Sequence, residues 1–425
     1  MGAHLRTPTR APTRVTAISQ RCASTKSDPT TRRPGPGPAA MVTVGTMALA
    51  TLPTPLYPAY ARAFHLDTTG ITVLFAVFAT GAIGGLSVTR SRISTRWPVR
   101  SRIIAAALLG VIAAVLLALV PGVAAFALGR LLSGVGVGVA AASAVTFVTD
   151  SARASGRHVR LWTVLTPGLA MTGLALGPAT AGLLVGTGAL PRWGLYIAVA
   201  GVLGLSAAML PAHDDSAGAG APTSEEARGH PTCAAPHSTS PRPARWPHRL
   251  GACTAFAVTG LFGALTPHLL SDGHRTPTVT EVGVLAALPF IAGAFGATAL
   301  STRVQWALPL LITGLVLVTA STVTVSGPAV GTPLFAGGAL AAGAGAGSVF
   351  SWSLRSSLRA ATPDRRAVAA TDAFVWAYLG LAVPVVAVGT LIGVVQTAAV
   401  LGGITVLVAV AGAALVWRGG LVSSQ

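Results

Sequence analysis

The chain carries eleven carboxylates, nine histidines and three cysteines in 425 residues, and few of them stand where a reaction or a proton path could use them. Asp28, Asp67, Asp150, Asp214, Asp215, Glu225, Glu226, Asp272, Glu281 and Asp364 lie in polar stretches or at the margins of apolar ones. Only Asp372 falls clearly inside an apolar run, one to two turns from its start. Burial disfavours the charged form of a carboxyl and a nearby arginine favours it, and a proton carrier works on that balance. The competing reading is a helix-start carboxylate in contact with water and favoured by the helix dipole. Thr362 as a cap, with Pro363 at the first helical position, supports an early helix start. Glu281 and His268, near the ends of two other apolar runs, could also pass protons, but each reads first as structural.

Arg130 is the one basic residue inside an apolar run. It sits about seven residues in, or ~10 Å at 1.5 Å per residue, too deep for an easy reach to the surface. A charge at that depth is paired, snorkelling or turned to a cavity, and the cavity reading is preferred. Trp376 and Tyr378 also lie deep in a run, where they line a cavity or simply pack, the second being the simpler account. Cys22, Cys233 and Cys253 have no metal-ligand spacing and imply no disulfide framework. Nothing resembles a catalytic triad, a metal cluster or an ATP site, so no cofactor is expected and the chain does not read as an enzyme.

The elements that would position these residues follow from composition. Hydrophobic residues make up 52% of the chain and charged residues 9%, where globular domains carry roughly 25% charged. Apolar runs near the ~20-residue length of a membrane-crossing helix cover 40–60, 70–88, 102–120, 123–148, 162–187, 192–211, 249–270, 281–300, 306–326, 331–354, 367–392 and 395–417. The expected fold is an all-α polytopic membrane protein of twelve transmembrane helices in two six-helix bundles, 40–211 and 249–417. Residues 212–248 read as a Pro/Gly/Ser-rich linker. Residues 1–39 read as a disordered tail, or in part as sequence ahead of a start at Met41 or Met47, and 418–425 as a second short tail.

The formal charge of +18 could point to nucleic acid, but the basic residues are scattered between apolar runs rather than gathered on one soluble face. They sort by side instead. With both termini cytoplasmic, 25 of the 29 lie in inside segments, and only Arg62, Arg192 and Arg275 lie outside. The expected place is the inner (cytoplasmic) membrane, and the expected partners are lipid, protons and a small-molecule substrate; oligomeric state is left open, a monomer being sufficient.

The two halves echo each other. Gly129, Gly134, Gly136 and Gly138 recur 209 positions later as Gly338, Gly343, Gly345 and Gly347. Glycine clusters also cradle phosphates, but these lie inside apolar runs, where small residues let helices approach closely. Trp97, Trp162, Trp193, Trp246, Trp306 and Trp417 fall at or near run ends, as an interfacial belt would.

Taken together, the chain resembles the major facilitator superfamily over residues 40–417. "GLALGPATAG" from Gly173 resembles the fifth-span motif of its proton-coupled drug exporter branch, with Gly173, Gly177, Pro178 and Gly182 as packing residues to which the resemblance gives a role in sealing the inner route. "GRLLSGVGVG" from Gly129 resembles a motif whose arginine, here Arg130, faces the central route. The loop "SRISTRWPVRSR" from Ser91 departs from the family pattern: only Arg96 and Arg100 keep their places, Thr95 stands where an aspartate is usual, and Asp150 is the remaining acid for Arg100. The resemblance implies a secondary active transporter working by alternating access, with proton-coupled export of small hydrophobic compounds as the first expectation. Uptake of a small metabolite is the second, and a non-transporting sensor of the same fold the third.

Overall fold

The computed structural model describes residues 37–90, 97–154, 159–210, 246–271, 276–300, 304–323, 328–362, 365–392 and 394–417, with backbone alone at 144–154, 159–167, 328–329 and 367. The tails, most of the linker, Arg96 and the Asp150 side chain therefore lie outside the described residues.

Every described element is helical. In order they are α1 (Gly37–Thr51), a 3₁₀ turn (Thr54–Leu56), α2 (Tyr57–Phe64), α3 (Thr68–Arg90), α4 (Val99–Leu119), α5 (Val123–Ala154) and α6 (Val159–Thr180) with its π-helical extension Ala181–Val185. Then come α7 (Arg192–Ala208), α8 (Trp246–Leu269), α9 (Val279–Thr298), α10 (Ala307–Val323), α11 (Pro328–Arg359), α12 (Arg366–Leu391) and α13 (Thr397–Trp417). Ten stretches are long and apolar enough to cross a membrane, α1 and α2 counting as one, and α7 and α10 are shorter apolar helices of 17 residues. These are the twelve expected crossings. Gly37 and Trp417 fall at the same end of the bundle, called here the terminal end.

The first crossing is broken where the sequence demands it. Pro53, Pro55 and Pro58 each lack an N–H, so the helix stops, turns through Thr54–Leu56 and restarts. The start of α12 differs from expectation. Arg365 is its N-cap with no side-chain cap bond, and Thr362 only accepts a turn hydrogen bond from the Arg365 N–H through its carbonyl. The helix nevertheless starts early enough to put Asp372 in its second turn.

The repeated glycines do the same work in each half. A Cβ on Gly134 or Gly138 would stand 2.1 and 2.2 Å from the Phe78 and Ala82 carbonyl oxygens of α3; one on Gly343 or Gly347 would stand 2.1 and 2.0 Å from those of Pro289 and Gly293 in α9. Gly129 and Gly136 press in turn on α4, and Gly338 and Gly345 on α10. Helices in lipid gain little from apolar burial, so backbone approach of this kind supplies their packing. The two registers pair α5 with α3 and α4 in the first half, and α11 with α9 and α10 in the second.

Candidate functional site

Between the halves, among the described residues, lies a small cavity of about 20 Å³, lined by Ala50, Thr51, Phe75, Phe78, Leu174, Phe256, Thr259, Gly263, Phe290, Tyr378 and Leu381. Six helices from both halves contribute. Four phenylalanines and a tyrosine make its wall, and its hydroxyls come from two threonines and that tyrosine. Small-molecule sites occupy roughly 300–1,000 Å³, so this cavity as it stands has room for about one water.

The polar groups of the wall repair helix backbones. Pro178 has no N–H to give to the Leu174 carbonyl four residues back, and the Thr51 hydroxyl donates to that oxygen at 2.8 Å. In α8, Pro267 orphans the Gly263 carbonyl in the same way, and the Thr54 hydroxyl donates to it at 2.7 Å. Two threonines flanking Pro53 thus hold one proline site in each half. Sequence reasoning missed both; the signal was a hydroxyl residue on each side of a proline break, facing helices with their own prolines.

The fifth-span glycines serve two contacts. Gly173 and Gly177 let α6 press on α1, where a Cβ would meet the Val44 and Ala48 carbonyl oxygens at 2.6 and 2.3 Å. Gly182 crosses to the other half, 2.7 Å separating a Cβ there from the Gly283 Cα of α9, and Thr280 donates to the Gly182 carbonyl at 3.1 Å. Pro178 joins the same contact through its carbonyl, 2.5 Å from a Cβ on Gly283. This contact lies away from the terminal end, as does the approach of Thr72 to Gly389. Gly173, Gly177, Pro178 and Gly182, expected as packing residues of a seal, thus join α6 to α1 and to α9.

Arg130 is wholly buried in α5. Its Nη1 donates to the Ala50 carbonyl at 2.6 Å, and its guanidinium lies 4.6 Å from the Phe78 ring centroid and 5.8 Å from that of Phe75. It is not itself in the lining of this cavity but stands behind two of its rings. Its Nε and Nη2 find no acceptor among the described residues. Nearby, the Tyr60 and Tyr196 hydroxyls meet at 3.1 Å, Arg192 covers the Tyr60 ring, and the buried Tyr57 hydroxyl also finds no partner among the described residues.

Asp372 is paired. Arg249 Nε and Nη2 donate to its two oxygens at 2.9 and 3.2 Å, both side chains keeping partial exposure, and the Trp376 ring centroid lies 5.5 Å from the same guanidinium. Trp376 belongs to this cluster near the terminal end and is not in the lining of the cavity; Tyr378, two residues on, is in the wall and meets Phe78 edge-on across the halves. Glu281 closes a capping box with Thr278 at the start of α9, and Asp67 caps α3 through the Gly70 N–H. Glu281 is therefore a helix cap. His268 sits half-buried at the end of α8, outside the cavity lining. Among the described residues Arg100 donates to the Leu210 carbonyl, at 3.4 Å. Among the described residues no carboxylate lines the cavity.

Two pseudo-symmetric halves around an apolar central site call for comparison with known proteins, and the family model described as "Major Facilitator Superfamily" matches residues 39–405. The chain belongs to the Major Facilitator Superfamily. Among solved structures, this superfamily member is similar in fold to the nucleoside transporter NupG, at 12% identity and a TM-score of 0.62 over 90% of this chain and 98% of that one; a mutant of the same protein gives 13%, 0.63, 89% and 99%. It is also similar to a bacterial homolog of the human lysosomal transporter Spinster, captured inward-facing and occupied, at 15% identity and a TM-score of 0.61 over 91% and 96% of the two chains. No curated protein matches the chain. The superfamily member is thus a multi-pass membrane protein with a transporter fold, not an enzyme fold.

Proposed function

We propose that this superfamily member exports small, largely apolar or aromatic compounds in exchange for protons, by rocking its halves about the central cavity. The observation that carries the reading is the wall itself: Phe75, Phe78, Phe256, Phe290 and Tyr378, drawn from both halves, around a site with no carboxylate among the described residues. Such a wall favours flat apolar bodies and offers nothing to a strongly cationic one. The likeness of the Gly173–Gly182 segment to the drug exporter motif supports the direction. Asp372 is the proton carrier in this reading, since its protonation would release Arg249 and loosen α8 from α12 at the terminal end.

The test is reconstitution in liposomes under an imposed pH gradient, with a panel of hydrophobic antibiotics and Asp372→Asn in parallel. Compound-triggered proton release in the wild type, absent in the variant, is the expected result. Release in both moves the carrier elsewhere, and flux that runs only into the compartment facing the chain termini replaces export with uptake. The Arg249–Asp372 pair is partly exposed, so Asp372→Asn should cost under about 1 kcal/mol of stability, and lost flux would not reflect lost folding.

A further inference from the structure

Arg249 and Arg130 use the same side-chain edge in opposite ways. Arg249 presents Nε and Nη2 together and holds the two oxygens of Asp372, one on each nitrogen. The fork geometry of guanidinium suits a carboxylate in this way. Arg130 keeps the identical pair of donors vacant while fully buried, with only Nη1 engaged. A buried charge with two unmade hydrogen bonds is costly, and the described carboxylates Asp67, Glu281 and Asp372 are all engaged elsewhere. Tyr57, in the same first crossing as Ala50, is 2% exposed with a hydroxyl that also finds no partner among the described residues. Three unmade donors in the desolvated interior match the needs of a bound anion. Arg130 reaches the cavity through Ala50, Phe75 and Phe78, which are at once its contacts and part of the wall.

We propose that the Nε–Nη2 edge of Arg130, with the Tyr57 hydroxyl, binds the carboxylate of a substrate whose aromatic or apolar body occupies the phenylalanine-lined cavity, so that the transported class is small aromatic monocarboxylates. The inference rests on the transport reading for its cavity, but not on the direction of flux or on Asp372. When the halves part, Phe78 loses its edge contact with Tyr378, and the ring that covers the guanidinium is free to turn aside and admit the anion. The two aromatic faces then flank both the cation and the substrate ring.

The experiment compares acids with their uncharged amides on the purified full chain in detergent: benzoate against benzamide, phenylacetate against phenylacetamide and 2-naphthoate against 2-naphthamide, with affinity read from calorimetry. Each acid should bind about ten- to a hundredfold more tightly than its amide, the range carried by hydrogen bonds to a charged group. Arg130→Gln should abolish the preference, weakening the acids far more than the amides. Arg130→Lys, which keeps the charge without the fork, should retain only part of it. Tyr57→Phe removes a hydroxyl that no described residue uses; it should leave folding intact and weaken the acids a fewfold, so the proposal stays testable even if Arg130→Gln fails to fold. Equal binding of acid and amide, binding of neither across the panel, or an acid preference untouched by Tyr57→Phe and Arg130→Gln would overturn it. Proton release driven by neutral compounds without acid preference leaves the exporter reading and removes this site. Acid-selective binding without vesicle flux does the reverse.

Discussion

Thr51 has an importance that no residue-type rule assigns it: its hydroxyl stands in for the N–H that Pro178 cannot supply. The account is testable by a double-mutant cycle. Thr51→Val should cost about 0.5–2 kcal/mol of stability, since it leaves the buried Leu174 carbonyl unpaired, read as a lowered midpoint of thermal unfolding in detergent. Made on a Pro178→Ala background, where an N–H is restored, the same change should cost much less. Equal losses on both backgrounds would refute the repair. Much at this scale was legible in the sequence. Arg130 is buried as its depth required, and the Thr-Val-Thr-Glu run ending at Glu281 is a capping-box pattern. For Trp376 the sequence left cavity lining and packing both open, because depth along a helix is readable from sequence but the direction of a side chain around it is not.

At the scale of elements, the 209-residue repeat of glycines was readable as a register, whereas the neighbour each glycine meets depends on the fold. The contacts give a sharp contrast. Gly134→Ala and Gly343→Ala, equivalent positions in the two halves, would each force a methyl to within 2.1 Å of a backbone oxygen, and each should lower stability by about 1–3 kcal/mol, the cost of overpacking. Gly201→Ala in α7 and Gly337→Ala in α11 meet nothing within 4 Å and should be neutral or stabilising by up to ~1 kcal/mol, the difference in helix propensity. Thermal midpoints of the four variants decide the matter; a loss at Gly201 or Gly337 as large as at Gly134 would remove close approach as the reason for the repeat.

At the scale of the whole molecule, hydropathy gave the number of crossings and the charge asymmetry gave an expected orientation, but which surfaces meet between the halves had no signature that a single sequence exposes. The seal of α6 on α9 is two glycines in near contact. Gly283→Val should therefore wedge the end away from the chain termini apart and bias the molecule toward opening there. With Cys22, Cys233 and Cys253 replaced, a cysteine at Leu381 in the cavity wall should then react several times faster with a membrane-impermeant maleimide added from that side. Unchanged labelling would mean that the seal is elsewhere.

The smallness of the central cavity has a thermodynamic consequence of its own. Passing from about 20 Å³ to the roughly 300–1,000 Å³ that a small molecule needs brings on the order of ten to thirty waters into the protein, at ~30 Å³ each. The equilibrium between closed and open forms is then a hydration equilibrium. Sucrose or another solute excluded from protein surfaces lowers the activity of water and should favour the closed form, so cavity labelling should slow in proportion to osmolality, with a slope that counts the waters admitted.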